Sequence, residues 1–260
     1  MNRRDFARCL AWAPFLAWAE SSDRGPSATS RHVEVIVSSV EDARAAEAGG
    51  ATRLEIAVQL DRGGLTPPLA LVGEIVAAVS IPARVMLREQ DALELAGRDE
   101  RGLVLEKARQ LAALRVEGLV TGYVREGRLD LDMLRAISRA APSLHLTIHN
   151  AIERTADPPG AIEALASLSG VDRALVSGGS WRPLAERIAR LQTYRMRLRA
   201  GCELIAGSLT LDVVQAIRDA TGIREFHFGS AVRTPEESFP HGTVDARKVA
   251  RARELVFAGA

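Results

Sequence analysis

Cysteine and aromatic residues are scarce in this chain, and their scarcity excludes several classes of protein. The only cysteines are Cys9 and Cys202, too few for a disulfide framework or a structural zinc knuckle. Aromatic residues make up 4% of the sequence, so stacking platforms for bases are lacking. The 34 basic residues are interspersed with 33 acidic ones rather than gathered in a stripe. We therefore expect no nucleic-acid surface.

Long apolar runs are also lacking. The N-terminal apolar run, residues 9–19, is too short to cross a bilayer, which takes about 20 residues. Paired arginines precede this run and an Ala-x-Ala site closes it, a pattern typical of signal peptides that here resembles the twin-arginine type. We predict a signal peptide at residues 1–19, a flexible linker at residues 20–31 and export to the periplasm. The alternative is an N-terminal helix or an overextended start on a cytoplasmic protein.

From residue 32 onward, short apolar segments alternate with longer amphipathic ones. The short segments predict strands at residues 33–37, 53–57, 83–88, 118–121, 144–149, 173–177, 202–207 and 225–229. The longer segments predict helices at residues 40–48, 69–79, 101–114, 131–141, 160–168, 184–195, 211–221 and 245–257. Strict alternation of this kind predicts an α/β protein with one (β/α)8 TIM-barrel domain at residues 32–260. The alternative, an open doubly wound sheet, usually carries a Gly-x-Gly-x-x-Gly loop that is missing after the first strand.

Local signals add detail at two places. Residues 124–129 predict a small hairpin, and Asp130 predicts the N-cap of the fourth helix. After the second strand, Thr66 and Pro67 predict the N-cap and first turn of the second helix.

Candidate functional residues recur at the carboxyl ends of the predicted strands, where a barrel of this kind carries its catalytic and binding residues. At or near these ends, in chain order, are Glu34, Glu55, Arg88, Thr121, His149, Ser177, Gly207 and His227. Two acids, two imidazoles and one guanidinium could bind a metal ion, or share acid and base roles around an anionic substrate.

The two carboxylates each have a structural alternative. Glu34 precedes the middle of its strand, so a buried ion pair with Arg53 or Arg88 is an alternative to catalysis. Glu55 could equally be a partner of Arg53 at the barrel rim.

The histidines differ in their positions along the strands. His145, Thr147 and His149 share one face of their strand and point into the barrel. His145, lower in the strand, is interpreted as a hydrogen-bonded filler, whereas His149 at the mouth is interpreted as functional. His227 is the strongest single candidate for a functional residue.

Small turns follow the last three predicted strands. Turns that expose backbone amides after the seventh and eighth strands hold a phosphate in many such barrels. A guanidinium also matches carboxylate or phosphate in a bidentate manner. The predicted anion-binding residues are Arg88, Thr121, Ser177, Gly207, Ser208, Gly229 and Ser230.

Several of these segments, in this order, resemble the CutC family of copper homeostasis proteins. The matching pieces are Val33-Glu34-Val35, Gly49-Gly50-Ala51-x-Arg53-Leu54-Glu55, Gly63-Gly64-Leu65-Thr66-Pro67, Gly118-Leu119-Val120-Thr121-Gly122, Thr147-Ile148-His149, Ser177-Gly178-Gly179, Ala206-Gly207 and His227. The resemblance implies a (β/α)8 barrel, a role in copper handling and a usually cytoplasmic protein. Copper as a cofactor is implied by the resemblance alone.

The chain departs from the family pattern at residues that bear on copper. The resemblance implies cysteines at the ends of the first two strands, where this chain has Ile36 and Ala57. A soft thiolate site for copper(I) is therefore missing at that place. We interpret the chain as a divergent member.

Three functions follow from these observations. The first is copper binding at His149, His227 and Glu55. The second is catalysis, in the isomerase or lyase class, on a small anionic or phosphorylated substrate, with Glu55, His149 and His227 as catalytic residues. The third is a degenerate barrel retained for binding a partner. The expected partners are a metal ion or a small anion, and a second copy of the chain in a homo-oligomer.

Overall fold

A closed barrel of eight parallel strands forms the centre of the computed structural model, which describes residues 31–235 and 242–258. The strands are β1 (His32–Val37), β2 (Arg53–Ile56), β3 (Ala83–Met86), β4 (Gly118–Thr121), β5 (His145–Ile148), β6 (Val171–Val176), β7 (Glu203–Ala206) and β8 (Glu225–Phe228). Each strand pairs with its neighbours in chain order, and β1 pairs with β8 to close the barrel. The predicted single-domain TIM barrel is confirmed.

One α-helix follows each strand within the described residues. The helices are α1 (Val40–Ala48), α2 (Leu69–Ala78), α3 (Arg98–Ala112), α4 (Leu131–Ala140), α5 (Pro158–Ala164), α6 (Leu184–Arg197), α7 (Val214–Thr221) and α8 (Ala246–Phe257). Each buries an apolar face, as α7 does with Val214 and Ile217. None of the helices described has both the length and the apolar composition needed to cross a membrane.

The predicted hairpin is confirmed, since Val124–Arg125 pairs with Arg128–Leu129 before α4. The Asp130 carboxylate then caps α4 by accepting a hydrogen bond from the backbone N–H of Met133 at 3.0 Å. The predicted leader and residues 20–30 of the predicted linker lie outside the described residues. Export, the cytoplasmic alternative and the homo-oligomer therefore stay predictions.

The predicted N-cap of α2 was wrong. The helix begins after Pro68, without a side-chain cap. The Thr66 hydroxyl instead donates to the backbone carbonyl of Arg88 at 3.1 Å and accepts from its N–H at 2.9 Å. This pair of bonds fixes the loop after β2 against the end of β3.

Buried ion pairs fill the barrel interior near the amino ends of the strands. Arg53 contacts Glu34 at 2.5 Å and Glu225 at 2.6 Å, and Arg84 binds both oxygens of Asp172 at 2.7 Å. These contacts belong to one continuous chain in which acidic and basic side chains alternate. Its members, in order, are Glu34, Arg53, Glu225, Arg173, Asp172, Arg84 and Glu117. Such a chain satisfies charges that would otherwise be costly to bury.

An apolar layer lies next to these ion pairs on the side of the carboxyl strand ends. It consists of Ile36, Ala57, Leu60, Met86 and Val120, all at most 8% exposed. The candidate site lies on the same side of the barrel, where β8 meets β1.

Candidate functional site

The central interaction of the site joins the two strands that close the barrel. Nδ1 of His227 on β8 lies 2.9 Å from a carboxylate oxygen of Glu34 on β1, and 3.5 Å from a carboxylate oxygen of Glu55 on β2. The strand register explains this contact, because Glu34 lies level with His227 on one side and with Arg53 on the other. One ligand atom from each of Glu34, Glu55 and His227 lies within 4.8 Å of the others.

Glu34 is held in its charged form. Burial alone would raise its pKa, but the Arg53 guanidinium and the hydrogen bond from His227 outweigh burial and place the pKa well below its usual range. Glu34 is fully buried. Its role is therefore that of a fixed negative charge that orients His227.

Glu55 and His227 form an interacting pair in which the pKa of each lies above its usual value. Burial raises the pKa of Glu55 to about 7, against the attraction of His227. Burial lowers the pKa of His227, but the carboxylates of Glu55 and Glu34 outweigh it, and the net shift is upward. Because the two groups interact strongly, their protons belong to the pair rather than to either residue. The pair can therefore give and take a proton around pH 7.

His149 lies just beyond the end of β5 and differs from His227 in its environment. It is 3% exposed, and its Nδ1 accepts a hydrogen bond from the backbone N–H of Ala151 at 3.2 Å. Burial, together with the nearby charge of Arg88, lowers the pKa of His149 to about 3. The ring is therefore neutral at physiological pH.

A cavity of about 140 Å³ opens at the carboxyl ends of the strands. Its floor and walls include the apolar side chains of Ile36, Met86 and Leu175. Its polar lining residues are Glu55, His149, Asn150, Ser177, Ser208 and His227. The cavity therefore brings both histidines and the titrating carboxylate to one small space.

Two residues that sequence reasoning missed shape the wall of this cavity. The Glu153 carboxylate accepts hydrogen bonds from the backbone N–H and the hydroxyl of Ser177, at 2.9 and 2.7 Å. The buried guanidinium of Arg187 donates to the backbone carbonyls of Ser177 and Ser208, at 3.1 and 3.0 Å. Both residues lie away from strand ends, in a 3-10 segment and in α6, so an inspection of strand ends could not find them.

The predicted anion-binding residues divide into two groups. Ser177, Gly207 and Ser208 line the cavity, as the three predicted catalytic residues Glu55, His149 and His227 do. Gly229 and Ser230 are not among its lining residues and lead into a short 3-10 turn after β8.

The other two predicted anion-binding residues also lie outside the cavity lining. The side chain of each donates a hydrogen bond to a backbone carbonyl instead. The Arg88 guanidinium donates to the carbonyl of Arg62 in the loop after β2. The Thr121 hydroxyl donates to the carbonyl of Leu87 at 3.0 Å.

The predicted metal set also differs from the group that the structure assembles. Within residues 31–235 and 242–258, the group with ligand atoms close together contains Glu34 in place of His149. His149 has its Nδ1 lone pair engaged by Ala151. A lone pair in use as a hydrogen-bond acceptor is not free for a metal ion.

This donor set does not fit copper(I). It offers two carboxylates and one imidazole, whereas copper(I) selects thiolate and thioether sulfur. The one cysteine among the described residues, Cys202, is buried just before the amino end of β7, opposite the mouth. Oxygen and imidazole ligands fit copper(II), zinc or manganese better. The Arg53 charge beside Glu34 opposes any cation there.

Sequence comparisons with known proteins agree on one family. The sequence model of the CutC family matches residues 31–232. A curated family protein CutC from Xanthomonas campestris pv. campestris (strain B100) is 32% identical over 239 residues, covering 86% of this chain and 97% of the relative. One from Xylella fastidiosa (strain 9a5c) is 32% identical over 241 residues, covering 87% and 88%.

Solved structures support the fold. CutC of Streptococcus agalactiae, a protein named for copper homeostasis, has a TM-score of 0.69 at 22% identity, covering 76% of this chain and 98% of that one. Phosphoribosyl anthranilate isomerase from Thermococcus kodakaraensis has a TM-score of 0.58 at 14% identity, covering 88% and 100%. At these identities the likeness concerns the fold alone.

Proposed function

This chain belongs to the CutC family, and from that premise we propose that it is an enzyme that transfers a proton on a small anionic substrate at the mouth of the barrel. The reaction class is that of an isomerase or a lyase. The observation that carries the proposal is the group of Glu34, His227 and Glu55, in which Nδ1 of His227 is hydrogen-bonded to Glu34 and lies 3.5 Å from a carboxylate oxygen of Glu55. His227 and Glu55 both line the cavity.

Proton transfer needs a group whose pKa lies near the working pH. Glu55, with a pKa raised to about 7 by burial, meets this requirement. His227 shares its proton, and the hydrogen bond to Glu34 fixes the orientation of the imidazole ring. Glu55 and His227 are therefore the proposed acid and base, and Glu34 is a positioning residue.

The anionic part of the substrate is proposed to bind at the loops after β6 and β7. Ser208 has a left-handed backbone conformation with φ of 55°. Its backbone N–H has no hydrogen-bond acceptor among the described residues. Beneath these loops, the Arg187 guanidinium is 7% exposed and bonds to carbonyl oxygens. A buried positive charge next to a free backbone amide favours an anion.

Deuterium incorporation tests this proposal and does not require the substrate to be identified first. The full chain is incubated in D2O with small aldehydes, ketones and hydroxy acids, each with and without a phosphate or carboxylate group, and exchange is followed by proton NMR. We expect exchange next to the carbonyl of at least one anionic compound and much slower exchange of its neutral counterpart. A folded protein that exchanges none of them would contradict the proposal.

Metal binding is the second candidate, favoured by the proximity of the ligand atoms of Glu34, Glu55 and His227. The copper role implied by the family name would then require copper(II). Because a metal ion must displace the proton of the Glu55–His227 pair, we expect binding to tighten as the pH rises from about 6 to 8. Calorimetric titration with copper(II) and with zinc, on the native chain and on His227→Ala, checks this. Binding that is independent of pH, or unchanged in the variant, would exclude this site.

A further inference from the structure

His149 has a hydrogen-bonding atom that the protein does not use. Its Nδ1 accepts from the backbone N–H of Ala151, and a backbone N–H can only donate. Nδ1 therefore holds a lone pair, and the neutral ring carries its proton on Nε2. Nε2 is buried and has no hydrogen-bond partner among the described residues. A buried donor without an acceptor is costly, which calls for an acceptor from outside the protein.

The ring of His149 is also fixed in place. A side-chain carbon at Gly122 would lie 2.8 Å from both Nδ1 and Cε1 of the imidazole. Glycine at this position therefore lets the backbone after β4 pack directly against the ring. Packing on one side and the bond from Ala151 hold the Nε2–H in one direction, in the wall of the cavity that Glu55 and His227 also line.

We infer that the Nε2–H of His149 donates a hydrogen bond to a substrate oxygen that becomes negatively charged, so that the substrate is a small carbonyl compound with a removable proton on the adjacent carbon. This inference rests on the proposed function. The Glu55–His227 pair takes that proton. The electron pair of the broken C–H bond forms a carbon–carbon double bond, and the π pair of the carbonyl group moves to its oxygen to give an enolate. The enolate oxygen accepts the bond from Nε2–H. Return of the proton to the same carbon re-forms the carbonyl group and completes the reaction.

The neutral state of His149 suits this task. Its low pKa keeps the ring uncharged, so it stabilises the developing oxygen charge without donating its proton to the carbonyl oxygen. A neutral imidazole that polarises a carbonyl is a known catalytic arrangement on barrels of this kind.

Oxalate, a planar dianion that mimics an enolate of this size, is the probe for the test. We expect oxalate to bind the full-length chain, and His149→Phe to weaken binding by about tenfold to a hundredfold, because a hydrogen bond to a charged group is lost. His149→Gln, which keeps an N–H donor, should recover part of the loss. His145→Phe, at the exposed amino end of the same strand, is the matched control and should bind oxalate as the native chain does.

A second measurement on the native chain does not depend on the folding of any variant. Long-range proton–nitrogen NMR between about pH 5 and 8 should show His149 as the neutral Nε2–H tautomer throughout. A charged ring, the other tautomer, no binding of oxalate at millimolar concentration, or unchanged binding by His149→Phe would each overturn the inference.

The outcomes also separate this inference from the proposed function. Oxalate binding that depends on His149, without deuterium exchange on any compound, would retain the donor role and reject the enzyme. Exchange that His149→Phe leaves within twofold would retain the enzyme and reject the donor role.

Discussion

Glu55→Gln is expected to slow deuterium exchange at least about a hundredfold, because general acid–base catalysis contributes about 10²–10⁴ in rate. Glutamine has nearly the shape of glutamate but cannot take a proton at neutral pH. The side chain is 1% exposed, so its surroundings in the cavity wall should change little. The exchange assay on the best compound of the panel measures the effect.

The same substitution should leave the fold more stable at alkaline pH. The pKa of Glu55 is raised from about 4.5 in the unfolded chain to about 7, so the native state binds more protons between these values. The free energy of unfolding therefore falls as the pH rises through this window, by on the order of 3 kcal/mol. The raised pKa of His227 acts in the same direction, since the stability it adds below about pH 6.5 is lost as the pH rises through its folded pKa.

Urea unfolding of the native chain and of Glu55→Gln, at about pH 5 and pH 8, measures this pH-dependent difference in stability. At pH 5 the native carboxyl is protonated, and the variant should match the native chain to within about 1 kcal/mol. At pH 8 it should be the more stable of the two. Glu106→Gln, at a residue 56% exposed on α3, is the control. It should change neither the exchange rate nor the stability at either pH. A variant that keeps its exchange rate, or loses stability at pH 8, would refute the assignment of Glu55.

Arg53→Met is expected to cost the fold about 3–5 kcal/mol, the usual effect of removing one partner of a buried ion pair. Arg53 is 1% exposed and contacts Glu34 and Glu225. Methionine fills much of the space but leaves both carboxylates buried without their shared cation. Denaturant unfolding at neutral pH measures the loss.

The pH dependence of the Arg53→Met effect provides a second check. Without the guanidinium, the pKa values of Glu34 and Glu225 should rise, since Arg53 is the main cause that lowers both. The two carboxyls can then be neutral in the fold, so the loss of stability should shrink as the pH falls toward about 4. Arg109→Met, which breaks an exposed pair on α3, should stay within about 0.5 kcal/mol of the native chain. A loss below about 1 kcal/mol for Arg53→Met would contradict the role given to the ionic chain.

The fold could be predicted from sequence because each strand–helix unit is a local pattern. Apolar runs of strand length and amphipathic runs of helix length locate the elements to within a few residues, and their strict alternation predicts the barrel. The prediction from local sequence was wrong at Thr66. Its cap signal is the same whether the hydroxyl binds its own helix or, as here, the backbone of Arg88 at the end of another strand.

The candidate site was only partly predictable for a related reason. Glu55, His149 and His227 were expected at the mouth because they stand at strand ends, and all three line one cavity. The contact between Glu34 and His227 joins residues 193 apart in the chain, and it depends on the register with which β8 closes on β1. Periodicity within a strand carries no information on that register.

The central claim is that Glu55 and His227 share a proton near neutral pH, and NMR titration of the His227 ring tests it most directly. Proton–nitrogen spectra of the full chain between about pH 5 and 9, with the signal assigned by its loss in His227→Gln, report the charge of the ring. We predict an apparent pKa above 6.5 for His227, and a lower pKa in Glu55→Gln, because the carboxylate of Glu55 raises it. A ring that stays neutral over the whole range, or a pKa that the substitution leaves unchanged, would contradict the account.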